Sequence, residues 1–335
     1  MNNTFIVITS IADEHHPVLK KIAARAINHR VPLIIIGDKS SPKEFTLEGC
    51  DFYSLDAQAR LPFSLSDKLP VGHYSRKNLG YLLAIERGAE IIIETDDDNI
   101  PLASFWDDRS IEAEAHLLEN TGWTNVYRYF TDINIWPRGF ALEHLHAPMP
   151  EIGKITSVKS PIQQGLADEN PDVDAIYRLT MPLPVYFEMS QNIALGINTF
   201  CPFNSQNTTW FKEAFPLLYL PSYCSFRMTD IWRSFVAQRI AWTCGWTILF
   251  HNCTVRQERN IHNLMNDFKD EISGYITNDK IFNCLKNITL KDGVNHISNN
   301  MIRCYDELIK IGVLDSSEIE LLKAWLDDLK TLENR

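Results

Sequence analysis

The chain has 335 residues, 45% of them hydrophobic and 22% charged, which is enough to bury one large α/β core or two modest ones. Its net charge of -11 disfavours a generic binder of nucleic acid or anionic membrane, while an anionic ligand held through a metal stays open. Seven scattered cysteines without a C-x-x-C pair argue against a disulfide framework or structural zinc, and with no membrane-spanning run or leader the default expectation is a cytoplasmic protein.

Asn3 to Thr9 reads as a first strand, closed by the polar turn Ser10 to Asp13. Pro17 suits the first turn of a helix with Leu19, Ile22, Ala23, Ala26 and Ile27 on one face. Val31 to Ile36 and Asp51 to Leu55 are further strands, the former ending in Gly37-Asp38-Lys39-Ser40. Strands alternating with helices predict a mostly parallel sheet whose ligand-binding rim carries Thr9, Ser10 and Asp38, each of which also suits a turn or cap. Ser75 to Gly88 is a helix with Leu79, Leu82 and Leu83 inward. Arg76 and Lys77 at its amino end oppose the macrodipole, an arrangement suited to a diphosphate or to an exposed basic turn.

The most informative stretch follows. Ala89 to Thr95 is a buried strand that delivers Asp96, Asp97 and Asp98 to its carboxyl end. Strand alternation puts Asp96 and Asp98 on one side and Asp97 on the other, so two carboxylates share one hard cation, Mg²⁺ or Mn²⁺. Three like charges beside a core also need a counter-charge.

The stretch from Thr131 to Leu183 is rich in Pro, Gly, Asp and His and weakly periodic, which suggests a long functional loop such as an acceptor lid. Thr229 or Asp230 opens a helix with Trp232, Phe235, Val236 and Ile240 buried, Asp230 serving either as a cap or as a base for an attacking hydroxyl. Thr247 to His251 is a last strand, followed by Arg256, Arg259 and His262. From Asp279 onward the pattern is helical, an appended region that packs on the core or mediates association.

A strand ending in Thr-Asp-Asp-Asp, preceded by an Arg-Lys-Asn-Leu-Gly helix and two βα units, resembles the donor half of a GT-A glycosyltransferase. More narrowly, Phe52 to Asp56, Lys68-Leu69-Pro70, Tyr74 to Tyr81 and Trp136 to Gly139 resemble the STELLO-type glycosyltransferase-like proteins. Arg138-Gly139-Phe140 is also similar to the reversibly glycosylated polypeptides, which are UDP-arabinopyranose mutases. The resemblance covers roughly Phe5 to Phe268.

It implies a GT-A-like, Rossmann-like α/β fold over residues 1–270 with a helical extension over 271–335. It implies a nucleoside diphosphate sugar donor, UDP-sugar favoured, and a hydroxyl of a glycan acceptor. Asp96 and Asp98 look like the Asp-x-Asp motif that holds Mn²⁺ or Mg²⁺ and the ribose, with His251 first and His262 second as a further metal ligand. Thr9, Asp38, Arg76, Asn78, Asp97 and Arg256 look like donor contacts. Asp230 looks like the base of an inverting transfer. Arg138 matches the arginine that is glycosylated in the mutases, and it also suits a donor contact or a loop anchor. A mutase and a catalytically silent scaffold of a glycan-synthesis complex are the alternatives, and a homo-oligomer is compatible with all three.

Overall fold

The apolar runs of the first hundred residues form four parallel strands and the helices that cover them. In the computed structural model, which describes residues 3–188, 191–258 and 263–334, these are β1 (Thr4–Thr9), α1 (Pro17–His29), β2 (Leu33–Ile36), β3 (Asp51–Tyr53), α2 (Leu55–Gln58), α3 (Lys77–Glu86) and β4 (Ile91–Thr95). They lie in the order β3-β2-β1-β4, with Ile6 opposite Leu33 and Ile93. Both faces are buried, so the strands are apolar on both sides. Ile6, Ile8, Leu33 and Ile35 pack with Val18, Leu19 and Ile22 of α1. Val7, Ile34 and Ile36 meet Leu79, Leu82 and Leu83 of α3. There α3 comes so close that a Cβ on Gly80 would lie 2.5 Å from Val7 Cγ1.

The chain continues through β5 (Asn99–Pro101), β6 (Glu112–Leu118), β7 (Gly122–Trp123), β8 (Ile155–Lys159), β9 (Ile162–Asp168), α4 (Ala175–Thr180), β10 (Ile193–Leu195), β11 (Thr199–Phe200) and β12 (Asn207–Phe211). It ends in α5 (Thr229–Thr243), β13 (Ile248–Gln257), α6 (Leu264–Asn287), α7 (Ile297–Lys310) and α8 (Glu318–Glu333). The large sheet runs on from β4 as β12-β9-β13-β10-β6-β8, with β12 antiparallel to β4 and β9, and β13 parallel to β9. The result is a GT-A-like α/β architecture, parallel through its first half and mixed beyond.

Two regions differ from the pattern-based expectation. The stretch 131–183 is not one long loop, because β9 runs through the middle of the sheet within it. Its apolar signal is diluted by Gln163 and Gln164, whose amides are satisfied by Ser110 O and Asn207 O. The helical segment begins at Leu264 and is built into the same core as the sheet: Phe282, Leu322 and Trp325 belong to one cluster with Trp123, Phe200 and Tyr219. Asp328 of α8 accepts from the Ser64 and Leu65 amides at 2.8 and 2.9 Å, tying the last helix to the segment before α3. Among the described residues no helix is long and apolar enough to cross a membrane.

Candidate active site

A cavity of about 460 Å³ opens where the carboxyl ends of β1, β2 and β4 meet the segment before α3 and the start of α5. Thr9, Asp38, Arg76, Asp96, Asp97, Asp98, Arg138 and Asp230, all singled out from the sequence, line it. The switch from parallel β1-β4 to antiparallel β12 places this opening at the sheet's ligand-binding rim.

Strand β4 ends at Thr95, and Asp96 to Asp98 form a turn before β5. Pleat alternation therefore does not govern them, and Asp97 joins the other two on the cavity wall instead of pointing away. Asp97 accepts from Ser10 Oγ. Asp98 accepts from Gln257 Nε2 at 3.0 Å. Asp96 faces Tyr74 OH and Lys77 Nζ, each at 3.3 Å. Lys77 is the counter-charge the acidic run requires: it is fully buried, and its ammonium also donates to Thr95 O and Tyr74 OH at 2.9 Å. One lysine does not balance three carboxylates. Burial pushes the Asp96 carboxyl up to about 7, with Lys77 opposing and the charges of Asp98, Asp97 and Asp230 adding to the rise.

Asp38 organises the rim, its carboxylate accepting from the Gly72 and His73 amides at 2.7 and 2.9 Å. Arg76 lines the cavity while binding Gln58 Oε1 at 2.7 Å and Leu69 O at 3.1 Å, so part of its guanidinium supports the wall. Burial holds its pKa below the usual arginine value. Asn78 is not at the cavity: its amide exchanges two hydrogen bonds of 2.9 Å with the backbone of Leu220, anchoring α3 to the segment before α5.

Arg138 joins the acceptor-side carboxylates. Its Nε and Nη2 donate to the two oxygens of Asp172 at 2.8 Å, and Nη1 and Nη2 donate to those of Asp230 at 3.1 and 2.9 Å. Nη1 also donates to Arg227 O, so all five N–H groups are committed. Asp230 further accepts from the Ser205 amide and hydroxyl at 3.1 Å. Burial alone would raise the Asp230 carboxyl, but the Arg138 guanidinium outweighs it and brings the group down to about 2. A carboxylate so acidic is a weak base, which counts against the base role.

The sign of the pH effect follows. A folded value near 2 against an ordinary 3.8 makes this carboxylate stabilising above about pH 4, by about 2 kcal/mol, and the contribution is lost as pH falls through 2. Arg138→Met is expected to reverse that dependence, since burial without the guanidinium raises the carboxyl, and the variant should gain stability relative to wild type as pH falls, measured as urea stability at steps between pH 2 and 5. An unchanged acid limb would show that the clamp does not set the titration.

Two predicted ligands lie elsewhere. His251 sits opposite Gly165 within the sheet, outside the cavity lining, with Nδ1 2.9 Å from Asn252 O. Burial lowers its pKa to about 4. The strand continues to Gln257, which reaches Asp98, past an irregularity in which four residues of β13, His251 to Val255, advance only two along β9, from Gly165 to Ala167. Arg256 is paired with Glu169 at 3.2 Å and Glu258 at 2.8 Å and does not line the cavity. His262 and Arg259 lie outside the described residues.

Among the described residues no three His, Cys, Asp or Glu side chains converge tightly enough to hold a metal unaided. The donor set nevertheless fits a hard cation of the Mg²⁺ or Mn²⁺ type, since Asp96 and Asp98 present carboxylate oxygens on the same cavity wall. Such ions take their remaining ligands from phosphates and water.

Lys77 is the site residue that pattern reading left without a role, and the demand for a buried counter-charge was its signal. Tyr74 and Asp172 fall in stretches that the resemblance marked, but their partners at the site, Asp96 and Ser205 for Tyr74 and Arg138 for Asp172, are distant in sequence and visible only in the fold.

Residues 227–335 match the family model described as STELLO glycosyltransferases. The chain is 29% identical over 318 residues to "Probable glycosyltransferase STELLO2" of Arabidopsis thaliana, covering 89% of this chain and 41% of that protein. It is 32% identical over 234 residues to "Probable glycosyltransferase STELLO1" of the same plant, covering 64% of this chain and 30% of that protein. The chain thus spans less than half the length of these relatives. Among solved structures, M. tuberculosis glucosyl-3-phosphoglycerate synthase aligns at a TM-score of 0.37 and 9% identity, over 82% of this chain and 80% of that one. A second mycobacterial protein aligns at 0.40 and 10%, over 84% and 74%. The family match begins just before α5, and the similarity to STELLO2 extends over 89% of this chain, so it is to the STELLO glycosyltransferases that the chain is similar.

Proposed function

We propose that the chain is a metal-dependent glycosyltransferase that moves a sugar from a nucleoside diphosphate sugar, with a UDP-sugar favoured, to a hydroxyl of a glycan acceptor. The observation that carries this reading is the turn of three carboxylates on the cavity wall, with Lys77 as the ammonium buried against them. Such a wall repels a diphosphate by itself and attracts one through a divalent cation. Asp96 and Asp98 would hold the ion, which when bound would supply charge stabilisation for the departing diphosphate. Asp97, fixed by Ser10, and Thr9 on the neighbouring strand border the same space and suit the donor's ribose and base. Arg76 adds cationic charge from the start of α3.

Asp230 and Asp172, spread on Arg138, face the cavity as hydrogen-bond acceptors for the acceptor's hydroxyls. An inverting transfer needs a base on that side, and Asp230 can serve only if the incoming sugar loosens it from Arg138. The mutase reading is the weaker one. A nucleophilic arginine must lose a proton and expose a nitrogen, whereas Arg138 is held protonated by two carboxylates with every N–H committed.

The test is binding of UDP, GDP, CDP and CMP by calorimetry and thermal shift, each with Mn²⁺ and with chelator. Metal-dependent stabilisation by UDP is expected, about 2.7 kcal/mol at a hundredfold excess over Kd. No shift with any nucleotide would remove the enzyme reading and leave a scaffold.

A further inference from the structure

Phe226 is half exposed, at 52%, although it lines the cavity. Its ring stands edge to face with His73 at 5.8 Å and Tyr74 at 5.9 Å, and Tyr74 is the residue whose hydroxyl reaches Asp96. Four residues further along the chain is Asp230. The ring is therefore close to both the carboxylate wall and the clamp on Arg138.

Its backbone is held firmly. Glu318 of α8 accepts from the Ser222 and Tyr223 amides at 2.9 and 2.7 Å, and Ser225 Oγ donates to Asp270 O of α6. Arg227 O receives Arg138, and the Arg227 side chain donates twice to the buried Glu271 of α6, at 3.0 and 2.8 Å. A segment anchored from two helices, α6 and α8, and from Arg138 displays an aromatic ring into a polar cavity, so its exposure is built into the fold.

We infer that Phe226 is the stacking platform for the acceptor's sugar ring, and so a specificity-determining residue for a carbohydrate acceptor. The inference rests on the donor-site reading above. A pyranose has an apolar C–H face and polar edges. Phe226 offers an apolar surface for that face, and the carboxylates of Asp230 and Asp172 with the Arg227 guanidinium offer partners for hydroxyls beside it. A planar nucleobase could use the same ring, but Phe226 is continuous in chain with the start of α5, which carries Asp230, and stands partly in solvent.

The experiment is saturation-transfer NMR with methyl glycosides of glucose, galactose, mannose and arabinose, with UDP and diamagnetic Mg²⁺ present, on wild type, Phe226→Ala and Phe226→Trp. Calorimetric UDP affinity and thermal melting are measured on the same samples. Wild type is expected to transfer saturation to ring C–H protons of at least one glycoside. Phe226→Ala is expected to weaken that glycoside about tenfold with UDP affinity and melting unchanged, and Phe226→Trp to retain it.

Absence of glycoside contact in wild type, or equal contact in Phe226→Ala, would overturn the inference. So would a parallel loss of UDP affinity in Phe226→Ala, which would assign the ring to the nucleotide. Failure of wild type to bind UDP would bring down the donor reading instead, a distinct outcome.

Discussion

Arg233→Met is expected to destabilise the protein by about 3–5 kcal/mol, a large share of the 5–15 kcal/mol that folded proteins hold in reserve. Arg233 of α5 and Glu94 of β4 are both essentially solvent-free and joined by two hydrogen bonds of 2.6 and 2.9 Å. Glu94 also accepts from Trp210 Nε1 at 2.8 Å and from Tyr81 OH, and the guanidinium lies 4.9 Å over the Trp210 ring. Removing the arginine leaves a carboxylate in the core with no counter-charge, and that desolvation cost dominates the loss.

The pair also fixes the site, because Glu94 stands two residues before Asp96 and Arg233 three after Asp230. Glu94→Leu with Arg233→Met is expected to cost less than Arg233→Met alone, since no charge is then stranded. Urea melts of the two single variants and the double measure all of this. A single variant as stable as wild type would show that the pair contributes no net stability.

The parallel half of the fold is legible because β1, β2 and β4 are buried on both faces and so are written in unbroken apolar residues. The acidic turn is legible for a related reason: charges set directly after a buried strand have few places to go. What pattern reading loses is polar structure whose partners are far away in sequence. Strand β12 opens with Asn207, Thr208 and Thr209, all buried, and Asn207 is satisfied by Leu166 O and Thr254 Oγ1. Nothing local announces that.

The same limit explains the misplaced histidine. Strand β13 keeps an apolar signature only to Phe250, then continues through Asn252, Thr254 and Arg256 because its ladder with β9 resumes past an irregularity at His251 to Val255. A reading that ends the strand at the last apolar residue puts its tip at His251, short of Gln257, which reaches Asp98. The reading located Asp230 at the start of its helix, while its partner Arg138, 92 residues away, which holds it ionised and lowers its basicity, is visible only in the fold. Burial of a charge is visible in sequence, but the identity of its counter-charge is a property of the fold.

The carboxylate turn is the second place where a large effect is expected. Asp98→Ala and Asp96→Ala should each lower release of UDP from a panel of UDP-sugars in the presence of Mn²⁺ by roughly 10²–10³-fold, the usual loss when one electrostatic partner of a developing charge is removed. The two variants separate by their side effects. Asp98 accepts from Gln257, and melting of Asp98→Ala reports its structural share separately from its share in UDP release. Asp96 neutralises Lys77, so Asp96→Ala leaves a buried ammonium with only Thr95 O, Tyr74 OH and Ser205 O around it and should melt lower.

His251→Ala tests the placement from the other side. A ligand to the ion would lose metal-dependent binding, whereas a residue within the sheet opposite Gly165 should leave it intact. Wild-type UDP release in chelator, or in Asp98→Ala, would rule out a metal at this turn. The three carboxylates would then be a structural acid cluster held by Lys77, and the cavity would have to bind its ligand through Arg76, Arg178 and Arg227 instead.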